Sequence, residues 1–420
     1  MAQGVNKVWT MVCCGARGKA GKGESVVLLP GETSLVKLYH PAVTTVTFYV
    51  GELPTELLRY RTQLVVEANP WLAGRLESEA KGQTGSFIWI PDAPDLASIF
   101  KHLDCPRLRP GLPMSEIAAQ VDEAIVKTGK EAMDQDEPVF KVGAVTIGEG
   151  IFAVVVSMSH VVGDGYTFYR VYGQLGVGKG EKGSGVQKLK PKRNDKFEDS
   201  LANHIGEEKL NWVKSFRADF GLTFLYFMKP ILFANLTHRA WFVDSDWIEG
   251  QKAQATVEGA VKWVSTNDVL TSWFMSSVGC DYGIMTINMR GRMKGVEADM
   301  AGNYETVLQF WPEEFSGPAG IRKTLQAGPF FSNALRDDTP AFSTDLRGNF
   351  GVVTDWASLG TDLVLPDCEQ ILHLPVFNVA LGLFRSMIIF RPRPDAIGVL
   401  VASSGSEPHD EDPVLSSRIF

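Results

Sequence analysis

A mixed α/β protein built as two sheet-containing lobes is what the sequence predicts, and three observations carry that expectation. The chain has 420 residues, more than a single core usually serves, since domains of roughly 100–200 residues are the norm. Runs rich in β-branched and aromatic residues alternate with helix-patterned segments on both sides of the midpoint. Between Gly176 and Lys196 the composition turns abruptly to Gly, Lys and Ser, which is linker chemistry without core residues. The expected boundaries are an N-terminal lobe over 1–178, a crossover linker over 179–198 and a C-terminal lobe over 199–420.

In the first half, Val26–Leu29 and Thr44–Val50 read as strands. Pro54-Thr55-Glu56 opens a helix with Leu57, Leu58, Leu64 and Val65 on one stripe, closed at Asn69-Pro70. Phe87–Ile90 is a further strand. Ser115–Glu131 places Ile117, Val121 and Ile125 at i, i+4 spacing and reads as one helix. Val142–Ile147 and Ile151–Ser159 flank Gly148-Glu149-Gly150 as a hairpin. The second of these runs is apolar on both faces, so it belongs in the middle of a sheet. Tyr166 to Leu175 reads as a helix. The second half repeats the mixture, with strands at Arg239–Val243, Ile284–Met289, Ser386–Phe390 and Ile397–Ala402 and a helix from Ser265. No internal repeat stands out.

Composition excludes several classes. A hydrophobic share of 45% with 21% charged residues is that of a folded globular chain, not a disordered one. The 41 Lys and Arg against 49 Asp and Glu give a net charge of −8, which lacks the footprint of a general nucleic-acid binder. Five cysteines (Cys13, Cys14, Cys105, Cys280, Cys368) without a C-x-x-C pair indicate neither a disulfide framework nor a zinc ribbon. No secretory signal pattern opens the chain, so a reducing, cytoplasmic setting is expected. An organellar role for the acid-free lead before Glu24 is the alternative. The longest apolar stretch, Phe220 to Leu236, is interrupted at Lys229-Pro230 and falls short of a span of roughly 20 residues. It reads as a buried helix broken at the proline, the alternative being a lid or a peripheral membrane patch. Cys13-Cys14 beside Arg17, Lys19 and Lys22 read as ordinary thiols, with S-acylation as the alternative.

The central chemical signal is His160-Val161-Val162-Gly163-Asp164-Gly165. A histidine at the end of a buried strand, followed by two glycines, lets the backbone turn sharply and a substrate approach closely. A general base needs an imidazole held in one orientation, and Asp164 is placed to fix the loop that presents it. Other patterns carry less. Gly178-Lys179-Gly180-Glu181-Lys182-Gly183 matches G-x-G-x-x-G but has no strand leading into it. His373 sits between leucines and reads as a satisfied core histidine. No G-x-S-x-G elbow and no metal-ligand spacing of histidines occur, so no metal is expected.

Read outward from His160, the chain resembles the BAHD acyltransferases and the wider chloramphenicol-acetyltransferase-like superfamily, whose hallmark is H-x-x-x-D-G. Asn69-Pro70-Trp71-Leu72-Ala73-Gly74-Arg75-Leu76 is similar to that family's helix end, and Ser265-Thr266-Asn267-Asp268-Val269-Leu270 to its second-lobe helix start. Ile287-Asn288-Met289-Arg290-Gly291-Arg292 resembles its strand end, and Gly302-Asn303-Tyr304 its G-N element. The five elements stand in family order from Asn69 to Tyr304, within a resemblance that extends over roughly Val26 to Val401. The D-F-G-W-G motif of plant members is absent: Thr354-Asp355-Trp356 is followed by Ala357 to Val376 instead. The chain therefore resembles a member divergent from the plant clade. Ser159 stands where wax-ester synthases and condensation domains usually carry a second histidine, which disfavours both.

The resemblance implies two similar lobes, each a mixed sheet flanked by helices, with a tunnel between them and His160 at its middle. It implies free acyl-CoA as co-substrate, no permanently bound cofactor, and a small, hydrophobic alcohol or amine as acceptor. Asp164 would be structural and pair with Arg290. Gly163, Gly165, Asn267, Gly302, Asn303 and Trp356 are the expected tunnel residues, and Lys188, Lys190, Lys192 and Arg193 the candidates for the CoA phosphates. A monomer is expected. The alternatives are an enzyme of the same fold that takes its acyl group from a carrier protein, and a catalytically silent member that binds a hydrophobic ligand.

Overall fold

Residues 24–78, 85–177, 185–218, 237–257, 261–326, 350–377, 385–403 and 408–420 are described by the computed structural model. Cys13, Cys14, the 178–183 glycine pattern and the Phe220–Leu236 stretch lie outside them. Fifteen strands run in chain order among the described residues: β1 Ser25–Val27, β2 Val43–Val50, β3 Arg75–Glu77, β4 Phe87–Trp89, β5 Phe100–Asp104, β6 Phe140–Gly148, β7 Ile151–Met158, β8 Thr237–Val243, β9 Tyr282–Asn288, β10 Glu305–Phe310, β11 Phe350–Asp355, β12 Glu369–Pro375, β13 Arg385–Arg393, β14 Ala396–Ser403 and β15 Leu415–Arg418.

The β6–β7 hairpin forms where the sequence places it, because Gly148, Glu149 and Gly150 all take positive φ at its tip. Both strands lie inside a five-stranded sheet of order β12-β2-β7-β6-β5. Every residue from Phe152 to Met158 is buried, as a doubly covered strand requires. β2 pairs along its whole length with β7, and Thr44 and Ser157, 2.7 Å apart through their hydroxyls, satisfy each other in the dry interior. Sequence reading missed β12, which leaves the second half of the chain and completes this first sheet by pairing antiparallel with β2. The second sheet has seven strands in the order β10-β9-β11-β13-β14-β8-β15, with β11 parallel to both neighbours. A small sheet, β1-β4-β3, completes the set.

The helices follow their caps. Thr55–Ala68 ends at Asn69 before Pro70. Thr266–Ser277 begins at Ser265, whose hydroxyl accepts from the Asp268 N–H at 3.2 Å while Asp268 accepts from the Ser265 N–H at 2.7 Å. The single helix expected over Ser115–Glu131 is instead three short pieces: Met114–Gln120, a turn at Asp122–Ala124, and Gly129–Ala132. Ile117, Val121 and Ile125 are all buried, so their spacing reported burial correctly. The helix breaks because the Val126 N–H donates to the Ser157 hydroxyl at 3.0 Å rather than along a helix, and Thr128 with Glu131 caps a fresh turn.

One stretch is more anchored than its composition suggests. Within the part of the 179–198 crossover that is described, Leu189, Arg193 and Phe197 are buried, and the Leu189 N–H donates to the Asn69 side chain at 2.8 Å. The expectation of a crossover without core residues is thereby corrected for 185–198. Interleaved lysines hid the anchors. Among the described residues no helix is long and apolar enough to cross a membrane.

Candidate active site

β7 delivers His160 to the edge of a cavity of about 520 Å³ lined from both halves of the chain. Its walls are mostly apolar and include Val43, Ile284, Ile287, Val352, Trp356 and Ile388. After Met158 the chain turns through Val161 to Gly163. A Cβ on Gly163 would stand 2.9 Å from Met158 Cε and Thr167 Cγ2, so the turn closes only around a glycine. Asp164 then caps the helix Gly165–Tyr172, its Oδ1 accepting from the Thr167 N–H at 2.9 Å.

The other carboxylate oxygen of Asp164 accepts from Arg290 Nη1 at 2.7 Å and from the Tyr304 N–H at 3.0 Å. All five Arg290 N–H groups are used, on Asp164, Asn288 Oδ1, Thr167 Oγ1 and the carbonyls of Gly302 and Met300. Both side chains are almost fully buried, where a charge pair holds only if its remaining donors and acceptors are satisfied. Here they are. This cluster locks the loop that carries His160 onto the strand end at Asn288 and the Gly302 turn.

Gly302 adopts φ +136°, and a Cβ there would press to 3.0 Å of the Arg193 guanidinium. Asn303 is buried, and its amide donates to the His160 carbonyl at 3.0 Å, to Val161 and to Glu32. Gly165, Asn267 and Trp356 line the cavity. Gly163, Gly302 and Asn303 do not; they shape the turns behind the histidine, so their expected place on the tunnel wall is corrected. Arg193 is corrected as well. It is buried, its Nε bonded to Glu32 at 2.9 Å and its Nη atoms to the carbonyls of Pro191, Ala301 and Val162, so four of its five N–H groups are bonded inside the protein and the guanidinium is not open to a phosphate in solvent. Lys190 is exposed and paired with Glu297 and Asp299, while Lys188 and Lys192 are simply exposed.

Sequence reading missed three polar neighbours of His160. Lys37, on the short helix Leu35–Tyr39, brings Nζ to 3.2 and 3.3 Å from the two ring nitrogens and donates to Glu305 Oε1 at 2.5 Å. The His40 ring meets His160 edge-on at 4.7 Å between centroids. A lone lysine inside Leu35-Val36-Lys37-Leu38-Tyr39 was the available signal, since an apolar run rarely carries a cation without a partner. Burial, then the Lys37 ammonium, lowers the His160 pKa to about 3, so the ring is neutral at ordinary pH. His40 is held well below its usual value by burial, then by His160 and Lys37. Asp355, also on the wall, is raised by burial. Among the described residues no cluster of His, Cys, Asp or Glu is placed to hold a metal ion.

Two sheet-bearing halves, with a strand exchanged from the second to the first and a histidine loop facing the cavity between them, define the chloramphenicol-acetyltransferase-like fold. The structural likeness to solved proteins is of that fold. The chain is similar to TRI101 of F. sporotrichioides, solved with coenzyme A and T-2, at 15% identity and a TM-score of 0.61, covering 94% of this chain and 100% of that one. It is similar to vinorine synthase at 15% identity and a TM-score of 0.58, covering 94% and 96%. The first condensation domain of the calcium-dependent antibiotic synthetase, solved with a substrate analogue, follows at 12% identity and a TM-score of 0.59, covering 90% and 91%. No family model matches the sequence, and no curated protein is significantly similar to it.

Proposed function

We propose that the protein is an acyltransferase that moves an acyl group from acyl-CoA to a hydroxyl or amine of a small, hydrophobic acceptor, with His160 as general base. The observation that carries this reading is the placement of a neutral, loop-locked imidazole on a largely apolar cavity shared by two lobes. Coenzyme A stands in the solved TRI101 complexes and C8-CoA in a starter condensation domain of the same fold, which supports the choice of donor. Acyl-CoA is a co-substrate in this reading, and no permanent cofactor is required. We assign the 1–178 and 199–420 segments to the two lobes, except that β12 joins the sheet of the first, and expect a cytoplasmic monomer.

In the proposed reaction the acceptor O–H or N–H gives its proton to His160 as the acceptor atom bonds to the thioester carbonyl carbon. The carbonyl π pair moves onto oxygen. When that oxyanion collapses, the C–S bond breaks, and the leaving thiolate recovers the proton from the imidazolium. Asp164 contributes only loop geometry, because both of its oxygens are committed to Thr167, Arg290 and Tyr304. Lys188 and Lys192 are the exposed cations left to meet the CoA phosphates, a role that Arg193 is too enclosed to share.

The test is thiol release across a panel of acyl-CoAs with mixed alcohols and amines, products read by mass. Loss of a general base lowers turnover by about 10²–10⁴-fold, so His160→Ala should fall in that range while keeping the native melting temperature. Near-native turnover of His160→Ala would remove the base assignment. Turnover with an acyl-carrier protein but not with saturating acyl-CoA would replace the donor and leave His160 in place.

A further inference from the structure

We propose that Lys37 is a second catalytic residue of this site, the donor that stabilises the oxyanion, with Glu305 holding it in position; the inference rests on the acyl-transfer reading above. Among the described residues three cations line the cavity: Lys37, Arg290 and Arg292. Arg290 has all five N–H groups engaged, and Arg292 is exposed. Lys37 is sheltered, with 13% of its side chain exposed, and its acceptors among the described residues are Glu305 Oε1 and the His160 ring. An ammonium has three donors. One goes to Glu305 and one faces the imidazole, so a third is left for the cavity.

Distance makes that third donor useful. An acceptor hydroxyl bonded to His160 sits about 2.6–3.2 Å from a ring nitrogen, and the carbonyl it attacks lies roughly 3–3.5 Å beyond. The Lys37 nitrogen is already within 3.3 Å of both ring nitrogens and lines the same cavity, so a carbonyl bound on the lysine's side of the ring brings its oxygen within reach of the ammonium. Oxyanion donors act at about 2.7–3.1 Å from where the charge develops. The charge count closes as well. Before reaction the lysine and glutamate cancel around a neutral ring; during it, the new imidazolium and the new oxyanion form a second pair. Lys37 opposes the first of these charges and favours the second, so its net benefit requires an N–H pointed at the oxyanion. The Glu305 anchor holds the ammonium at the cavity wall, where such an N–H can form.

The variants are Lys37→Met, Lys37→Arg and the double variant Lys37→Met with Glu305→Gln, which leaves no unpaired carboxylate. Each is measured for kcat and for KM toward acyl-CoA across pH, and for CoA binding by calorimetry. Loss of one oxyanion donor typically costs about 10²–10³ in kcat. Lys37→Met and the double variant should lose that much at every pH, with CoA affinity unchanged, and Lys37→Arg should recover part of it. If Lys37→Met or the double variant keeps the wild-type plateau kcat and only moves the acid limb of the pH profile, Lys37 merely tunes His160 and the proposal fails while acyl transfer stands. If the wild-type protein turns over neither any acyl-CoA nor an acyl-carrier protein, the acyl-transfer reading fails and takes the lysine's role with it.

Discussion

In the proposed reaction Asp164 serves the site by holding the loop that carries His160. Its carboxylate ties a helix N-terminus, the Tyr304 amide and Arg290 into one buried knot. Removing one side of such a pair strands the other charge and costs about 3–5 kcal/mol. Asp164→Asn and Arg290→Met should each lower the unfolding free energy by that order and reduce turnover. The double variant should lose less than the sum, and a chemical-denaturation double-mutant cycle reads the difference. Strict additivity would show that the two side chains do not act as a unit. His160 and Asp164 were legible in the sequence because their spacing and flanking glycines are local. Lys37 and Glu305 were not, since 268 positions separate the members of their ion pair and no local pattern links a helix-borne lysine to a strand-borne glutamate.

At the scale of elements, local chemistry chose most ends. Ser265 caps the helix that carries Asn267 to the cavity, and its hydroxyl also accepts from Arg322 at 2.9 Å. Replacing a capping serine by alanine costs about 0.5–2 kcal/mol. Ser265→Ala should therefore lower the melting temperature by a few degrees, an amount that calorimetry resolves, whereas the exposed Lys192→Ala, near in sequence to the buried Arg193, should leave it unchanged. An unaltered melting temperature for Ser265→Ala would mean that Asp268 and Arg322 alone hold the helix start. The hairpin at Gly148 and the Asn69-Pro70 stop were readable for the same reason: each depends on a few neighbouring residues. β12 was not, because Glu369, Gln370 and His373 interrupt its apolar pattern. His373 is buried, but Thr47 and Tyr169, from two other segments, satisfy its ring at 2.8 and 3.0 Å.

Across the whole molecule, histidines shielded from water tie stability to pH: His373 is buried, and His40 and His160 are half-buried at the cavity. His160 and His373 are lowered to about 3, both chiefly by burial, and His40 is lowered as well. The unfolded chain takes up these protons near pH 6.5 and the folded chain does not, so between those values the unfolded state binds more protons. Stability is then full above about pH 6.5 and is lost as pH falls, by about 1.4 kcal/mol per pH unit for each such group. Asp268, Glu314 and Asp355, raised by burial, pull the other way, but their unfolded values lie near 4, so the histidines dominate from pH 7 to about 5.5. Denaturation midpoints should drop steadily over that interval. A flat profile would contradict the burial of these rings.

What the sequence determined by itself is what neighbours along the chain decide: the alternation of strands and helices, the hairpin tip, the capped helix from Ser265, and the histidine loop with its glycines. Each follows from hydrogen bonds and backbone freedom within a few residues. Tertiary structure alone decided that β12 crosses to the first sheet, that Arg193 lies buried against Glu32 rather than open to solvent, that Gly302 and Asn303 stand behind the site rather than in it, and that Lys37 and Glu305 meet at His160. Those outcomes depend on which distant charges and apolar faces share one dry interior, a condition that only the closed fold imposes.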